Sequence, residues 1–406
     1  MKEATIVIPA RNAASTIERA IKSALMQGDY ALLLVDDFSE DDTVERAVGV
    51  AGARLNVVRP HAHRTLGFAR QTALDVVRTR FLIWLDADDE LLPGRVNRLV
   101  DALEREKTDI AADGAEIFDG LSGRFQSVSS IPSFMRRAQP PVREFERNYL
   151  PGDGVVAFRT EKLKWLGYDP ALHADIDVIL RAVAAGYHFS LLEETGYRIY
   201  TYPASLSRCL GEQRGMYRAA LMKHSYESVR KLYEKAGYGP RITAWGLTSM
   251  AVFRSDYENA LRFIDEASGW IEDPNEVLES DGPTPYSEGW RRSFHRGTTL
   301  LLVGSIKEAT RFLQQAELFQ ETAEVSNNLG VALALSGDHL QAKAFFERAL
   351  FMRPGYLDAE INLNGSGSLR ITPHPLRTLI ARDDYQPQSL DPQLPSWYGI
   401  SSGNMI

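Results

Sequence analysis

Residues 80–95 read RFLIWLDADDELLPGR. Five apolar or aromatic residues, Phe81 to Leu85, run straight into four acids within five positions, Asp86, Asp88, Asp89 and Glu90. A short apolar run of this kind reads as a buried strand. Negative charges at such density repel one another, so the strand end either collects a cation or gives each acid a separate task. Upstream, ATIVIP (4–9), ALLLVDD (31–37) and RLNVVRP (54–60) are further strand-like runs. Between them lie helical segments, STIERAIKSALMQ (15–27), DTVERAVGVAG (42–52) and GFARQTALDVVR (67–78). The spacings Ser15/Glu18 and Asp42/Glu45 suggest capping boxes. This alternation predicts an α/β sheet of parallel strands with right-handed crossovers. In such sheets ligands bind beyond the carboxyl ends of the strands, where Asp36, Asp37, Asp86 and Asp88 are expected.

At 406 residues the chain is long enough for two domains. Its net charge of −8 argues against general nucleic-acid binding, which requires a basic face. A single cysteine, Cys209, cannot form an internal disulfide. The opening MKEATIVIPA reads as a core strand rather than a signal peptide. No apolar run approaches the ~18 residues of a membrane span. These features predict a cytoplasmic protein.

From about residue 109 to 150 the pattern loosens, and IPSFMRRAQPP (131–141) reads as a loop or lid. GVVAFR (154–159) is strand-like, TEKLKWLGY (160–168) helical, and HADIDVILRAVAAGYHFSLL (173–192) a helix running into a strand. GYRIYTYP (196–203) is another strand, and residues 211–237 read as one long exit helix. Beyond it only helices are expected. Ala309 and Ala316 recur as Ala342 and Ala349, and Gly297 recurs as Gly330, each 33 residues on. The segment NNLGVALALSGDHLQAKAFFERALFMRP (327–354) resembles a tetratricopeptide repeat at Leu329, Gly330, Ala342, Phe346, Ala349 and Pro354, with Ser326 where that repeat carries tryptophan. Residues 290–319 form a weaker copy and 243–267 a third, separated by the insertion DPNEVLESDGPTPYS (273–287).

The first part of the chain, about residues 4–210, resembles the family 2 glycosyltransferases, inverting enzymes of the GT-A fold. Five blocks in order carry the resemblance: IVIPARNAASTIERAIKSALMQ (6–27), LLVDDFSEDDT (33–43), LGFARQTALDVVRTRFLIWLDADDELLPG (66–94), GDGVVAFRTEKLKWLGYDPALHADIDVILRAVAAGY (152–187) and YTYPASLSR (200–208). It implies an α/β GT-A domain with a Rossmann-like mixed sheet over residues 1–215. A connecting helix (216–240), an all-α tetratricopeptide-like domain (241–360) and a Pro/Ser/Gly-rich tail (361–406) are expected to follow.

The implied chemistry is transfer of a sugar from a nucleotide donor, expected to be a UDP-sugar, with inversion at the anomeric carbon. The diphosphate leaving group is doubly charged, and a divalent cation held by hard oxygen ligands offsets that charge. By resemblance, Asp88 is a direct ligand of Mn²⁺ or Mg²⁺, and Asp86 faces the ribose or the metal's water shell, with Ala87 between them in the donor site. Asp89 and Glu90 are expected to cap the helix that follows. Asp37 is expected to accept the base N–H, while Asp36 and Asp41 read as turn and solvent residues. Pro9, Ala10 and Arg11 are expected to floor the base pocket; Arg11 stands where the family often has an aromatic.

Arg64 and Arg70 are candidates either for diphosphate contacts or for structural ion pairs. Asp175 is the expected general base for the acceptor hydroxyl, in a block where Ala174 replaces the usual glutamate. Asp177 and Arg181, four apart on one helix, read as a structural pair, and His173 as a loop residue. Gly152 and Gly154 are expected to let the backbone pass close to the donor sugar. Tyr202 stands where many relatives place a metal-binding histidine. The helical repeats suggest a protein or peptide acceptor, or assembly into a homo-oligomer or complex. A cell-surface polysaccharide precursor is the alternative acceptor, and an inactive scaffold acting through its repeats the alternative class.

Overall fold

The computed structural model describes residues 3–62, 65–150, 155–170, 176–202, 210–269, 286–365 and 369–374. The chain divides into two compact units, residues 1–207 with 219–224, and residues 208–218 with 225–406.

The first unit is built on four parallel strands, β1 (Ala4–Ala10), β2 (Ala31–Asp36), β3 (Leu55–Val58) and β4 (Phe81–Trp84). Helices α1 (Ile17–Leu25), α2 (Thr43–Ala51) and α3 (Leu66–Val76) join them. Ile6, Val7 and Ile8 on β1 and all of β4 are buried, as expected for parallel strands covered on both faces. The sheet continues through β5 (Glu90–Leu91), α4 (Arg95–Arg105), β6 (Ile110–Asp119), β7 (Phe125–Ser129), β8 (Val156–Arg159), α5 (Thr160–Leu166), α6 (Ile176–Ala184) and β9 (Phe189–Thr201). Among the described residues the nine strands are ordered β3-β2-β1-β4-β8-β6-β9-β5, with β7 pairing β6. Strand β8 runs antiparallel to both β4 and β6, so the sheet is mixed. This is an α/β domain of the GT-A type followed by a helical region.

Several local expectations are corrected. Residues 110–119 form a ten-residue strand in the sheet interior, where the sequence pattern had suggested a loosely organised stretch. Asp113 breaks its apolar run, but that carboxylate is fully buried against Arg95. The two runs 189–192 and 196–201 are one thirteen-residue strand rather than two. The N-caps of α1 and α2 are Thr16 and Asp42, and neither side chain makes a cap hydrogen bond, so neither capping box forms. The long exit helix is two helices, α7 (Leu210–Met222) and α8 (Tyr226–Lys235). The second is started by Ser225, whose hydroxyl accepts from Ser228 N.

The second unit contains α9 (Pro240–Phe253), α10 (Tyr257–Ser268), α11 (Glu288–Val303), α12 (Ile306–Phe319), α13 (Ala323–Leu335), α14 (His339–Met352) and α15 (Leu357–Asn364). Small residues set the approach of successive helices. A methyl group on Gly297 would lie 2.8 Å from Leu313 Cγ, and one on Gly330 2.6 Å from Phe346 Cε1, so neither glycine has room for a side chain. Ala309, Ala316, Ala342 and Ala349 are all buried. The 33-residue recurrence therefore marks the close contacts of α11 with α12 and of α13 with α14. Most of the insertion after α10, residues 273–285, lies outside the described residues.

Candidate active site

Parallel pairing brings the ends of β1, β2 and β4 to one edge of the sheet. Ala10 pairs with Asp36 and Val7 with Trp84, and Leu85 N extends the ladder by donating to Val7 O at 3.0 Å. Asp37 N donates to Ala10 O at 2.9 Å, so the buried Asp37 sits directly beside the end of β1. Pro9 and Ala10 are buried there and Arg11 is exposed. The loops after β1 and β2 are stitched together: Asn12 Oδ1 accepts from Glu40 N at 2.8 Å, and Asp41 Oδ2 accepts from Ala14 N at 3.0 Å. Asp36 is a turn residue, as expected, but it is buried rather than facing solvent. It is 1 % exposed, accepts from Arg59 Nε at 2.9 Å and closes its own turn by accepting from Ser39 N at 3.0 Å.

Beyond β4 the chain turns sharply, with Asp89 N donating to Asp86 O at 3.1 Å. The acids of this turn divide their tasks. Asp86 is partly exposed and accepts from Arg70 Nη2 at 3.2 Å. Arg70 is fully buried behind it, its guanidinium over the Trp84 ring, which is the ion-pair geometry rather than that of a cation reaching outward. Asp88 is partly exposed, and burial together with the neighbouring Asp86 charge pushes its carboxyl up to about 6. Asp89 is buried and accepts from Tyr200 N at 2.9 Å. Burial first, then the charges of Asp88 and Asp86, holds its pKa well above the usual carboxylate range. Glu90 accepts from Arg198 Nη1 at 3.1 Å and from the Tyr200 hydroxyl at 2.7 Å.

Asp89 and Glu90 therefore do not cap α4, as the sequence had suggested; the N-cap is Gly94, in the left-handed conformation. Both acids are instead fixed by β9, a strand more than a hundred residues away.

Beneath the turn lies a polar support that motif reading missed. Arg95 forms a fully buried bidentate ion pair with Asp113, with Nη2 to Oδ1 at 2.8 Å. The Arg95 guanidinium also lies over the Tyr197 ring, and the Tyr197 hydroxyl accepts from Asp86 N at 3.0 Å. Gly196 is required here because a methyl group would overlap the Asp113 carboxylate. From the other side Arg19, on α1, donates to the main-chain oxygen of Asp88 and to the Tyr202 hydroxyl at 3.1 Å. Its guanidinium lies 3.6 Å from the centre of the Tyr200 ring. Arg19 lies in the first turn of α1, and nothing in its local sequence marks it out from the other residues of that block. Tyr202, at the position where the resemblance leads one to expect a metal-binding histidine, thus meets an arginine.

Arg64 and Asp175 lie outside the described residues, as do His173, Ala174, Gly152 and Gly154. Downstream of Asp175, Arg181 Nε donates to Asp177 Oδ2 at 2.9 Å, and Lys223 Nζ lies 2.8 Å from the other Asp177 oxygen. Among the described residues no group of three or more His, Cys, Asp or Glu side chains is placed to hold a metal ion. The two partly exposed aspartates of the turn, Asp86 and Asp88, do suit a hard cation that keeps several waters and takes further oxygens from a phosphate ligand.

Residues 5–164 match the model of glycosyl transferase family 2. The chain is 31 % identical over 245 residues to the succinoglycan biosynthesis protein ExoU of Rhizobium meliloti (strain 1021), covering 56 % of this chain and 68 % of that protein. It belongs to glycosyl transferase family 2. A second relative, ExoO of the same organism, also named for succinoglycan biosynthesis, is 29 % identical over 220 residues, 51 % of this chain and 63 % of that one. The family 2 match runs from within β1 to within α5 and so includes the whole acid turn. Among solved structures, S. aureus TarS 1-349 aligns over 87 % of this chain and 93 % of its own at 12 % identity, with a TM-score of 0.44. A likeness at that level bears on neither substrate nor mechanism. No helix among the described residues of this family member is long and apolar enough to cross a membrane.

Proposed function

We propose that this family 2 chain is a cytoplasmic, metal-dependent inverting glycosyltransferase that moves a hexose from a UDP-sugar to a growing saccharide. The observation that carries the reading is the convergence of Asp37, Asp86 and Asp88 at the ends of parallel strands on one sheet edge. Asp37 accepts the N–H of the uracil base, with Pro9, Ala10 and Arg11 flooring the pocket. Asp88, with Asp86 and Ala87 beside it, would hold Mn²⁺ or Mg²⁺; when bound, such an ion offsets the charge of the departing diphosphate. Arg70 holds Asp86 from behind, and Arg64 contacts the diphosphate. Asp175 takes the proton of the acceptor hydroxyl on the face opposite the leaving group.

The names of ExoU and ExoO support a saccharide acceptor over a protein. Residues 1–215 form the transferase domain in this proposal, with 216–240 connecting it to tetratricopeptide-like repeats over 241–360 that serve assembly.

The test is hydrolysis of UDP-sugars with Mn²⁺, in parallel with thermal-shift screening against nucleoside diphosphates. UDP with Mn²⁺ is expected to give the largest shift, and Asp88→Ala to abolish hydrolysis with the fold intact. A larger shift with GDP or dTDP would refute the base assignment. One observation favours a second reading, an inactive scaffold: Tyr202 at the histidine position is engaged by Arg19. Absence of both binding and hydrolysis with every common nucleotide sugar would establish that reading.

A further inference from the structure

The second unit holds a polar cluster in its interior that no part of the transfer chemistry uses. Asn327 and Asn328 on α13 are completely buried, as is Ile371, and Asn362 on α15 is nearly so. Buried carboxamides need partners for both the oxygen and the nitrogen, and here the partners are main-chain groups of an irregular segment, residues 369–374. Asn328 Oδ1 accepts from Thr372 N at 2.8 Å while its Nδ2 donates to Thr372 O at 2.9 Å. Asn362 treats Arg370 in the same way, accepting from its N at 2.6 Å and donating to its O at 2.9 Å. Asn327 braces the pair, donating to Arg370 O at 2.9 Å, and its own oxygen accepts from Asn362 Nδ2 at 2.8 Å.

Two residues, i and i+2, thus have both main-chain groups bound, as along one edge of a β-ladder. Carboxamides take the place of the neighbouring strand. Such contacts read backbone and not side chain, so they fit any extended peptide. Selectivity comes from the flanking sockets. Ile371 enters the apolar core of α11, α12 and α13. The Thr372 hydroxyl donates to Asp358 Oδ2 at 2.8 Å and also meets the Tyr356 hydroxyl. The His374 ring stacks on Phe253 at 4.3 Å between centres.

We propose that the faces of α13 and α15 bearing these asparagines form a binding site for an extended peptide with a β-branched apolar residue, then threonine, then an aromatic or imidazole ring two residues on. The resident occupant is the chain's own Leu369–His374. The segment is a latch: it fills the site in cis, and a peptide of the same pattern enters only when it leaves.

Hydrogen exchange on the full chain tests the latch directly. The amides of Arg370 and Thr372 are expected to be protected, yet to open at least ten-fold more often than the interior amides of α13. Exchange of both sets through one common global opening would overturn the proposal, since the segment would then be ordinary core. A labelled, end-capped peptide of sequence LRITPH provides the second arm. Thr372→Pro removes an amide and a hydroxyl of the resident segment, and that variant is expected to bind the peptide at least ten-fold more tightly than the unaltered chain. Adding Asn328→Ala is expected to reverse the gain. Equal affinity of Thr372→Pro and the unaltered chain, with helical circular dichroism preserved, overturns it; if Thr372→Pro fails to fold, the exchange experiment decides alone.

Discussion

Arg19 donates to the Tyr202 hydroxyl at 3.1 Å and, through the same nitrogen, to the main-chain oxygen of Asp88. One guanidinium thereby ties α1, the acid turn and the end of β9 to a single point. Arg19 acts through Asp88 and is a positioning residue. Arg19→Ala is expected to lower donor hydrolysis on the order of 10–100-fold, corresponding to about 1.4–2.7 kcal/mol of lost transition-state stabilisation. Arg19→Lys is expected to recover only part of it, because an ammonium cannot stack on Tyr200 while serving two acceptors. Steady-state kinetics on both variants check this, and full activity in Arg19→Ala would remove the residue from the site.

Base recognition through Asp37 makes a separate prediction. Its carboxylate is buried beside the end of β1, and a hydrogen bond to a charged group is worth roughly 1.5–3 kcal/mol. Asp37→Asn is expected to weaken UDP binding about 10–100-fold while leaving thermal stability nearly unchanged, as isothermal titration would measure. Unaltered affinity would mean that the base sits elsewhere.

The Arg95–Asp113 pair predicts a stability effect with no direct catalytic cause. Removing one partner strands a fully buried charge, which costs about 3–5 kcal/mol. Asp113→Ala is expected to shift the urea midpoint of the first unit accordingly. Gly196→Ala is expected to be destabilising too, by roughly 1–3 kcal/mol from overpacking, since the added methyl meets the same carboxylate. A midpoint unchanged in both variants would contradict the geometry.

The second unit carries a pH dependence of its own. His295 is buried beside Trp245 and Phe294, 5.9 Å from His374. Burial, with a smaller contribution from the Arg291 charge, brings its imidazole down to about 3. Unfolding releases it to about 6.5, so between these values the unfolded chain binds the extra proton. Stability from this group is complete above about pH 6.5 and falls as the pH drops toward 3, by at most about 1.4 kcal/mol per pH unit. His295→Phe is expected to flatten that slope in urea unfolding measured at pH 7 and pH 5. An equal slope in the variant would assign the dependence to other groups.

Local pattern was enough to specify the alternation of strands and helices, the acids at the strand ends and the 33-residue recurrence of small residues. Each of these is written in local periodicity or spacing, since a run of apolar residues needs only its own pattern to declare a buried strand. Tertiary structure alone decided the rest. Strand β6 was illegible because Asp113 looks wrong for a sheet interior until Arg95, eighteen residues earlier, is seen to neutralise it. Asp89 and Glu90 looked like helix caps until β9 supplied their partners. The pairing of Arg19 with Tyr202 and the asparagine clamp on residues 370 and 372 leave no local trace either. One cause is common to all four: burying a charge or a carboxamide becomes tolerable only through a partner that local periodicity does not mark, whether eight residues away, as Arg370 is from Asn362, or more than a hundred, as Tyr200 is from Asp89.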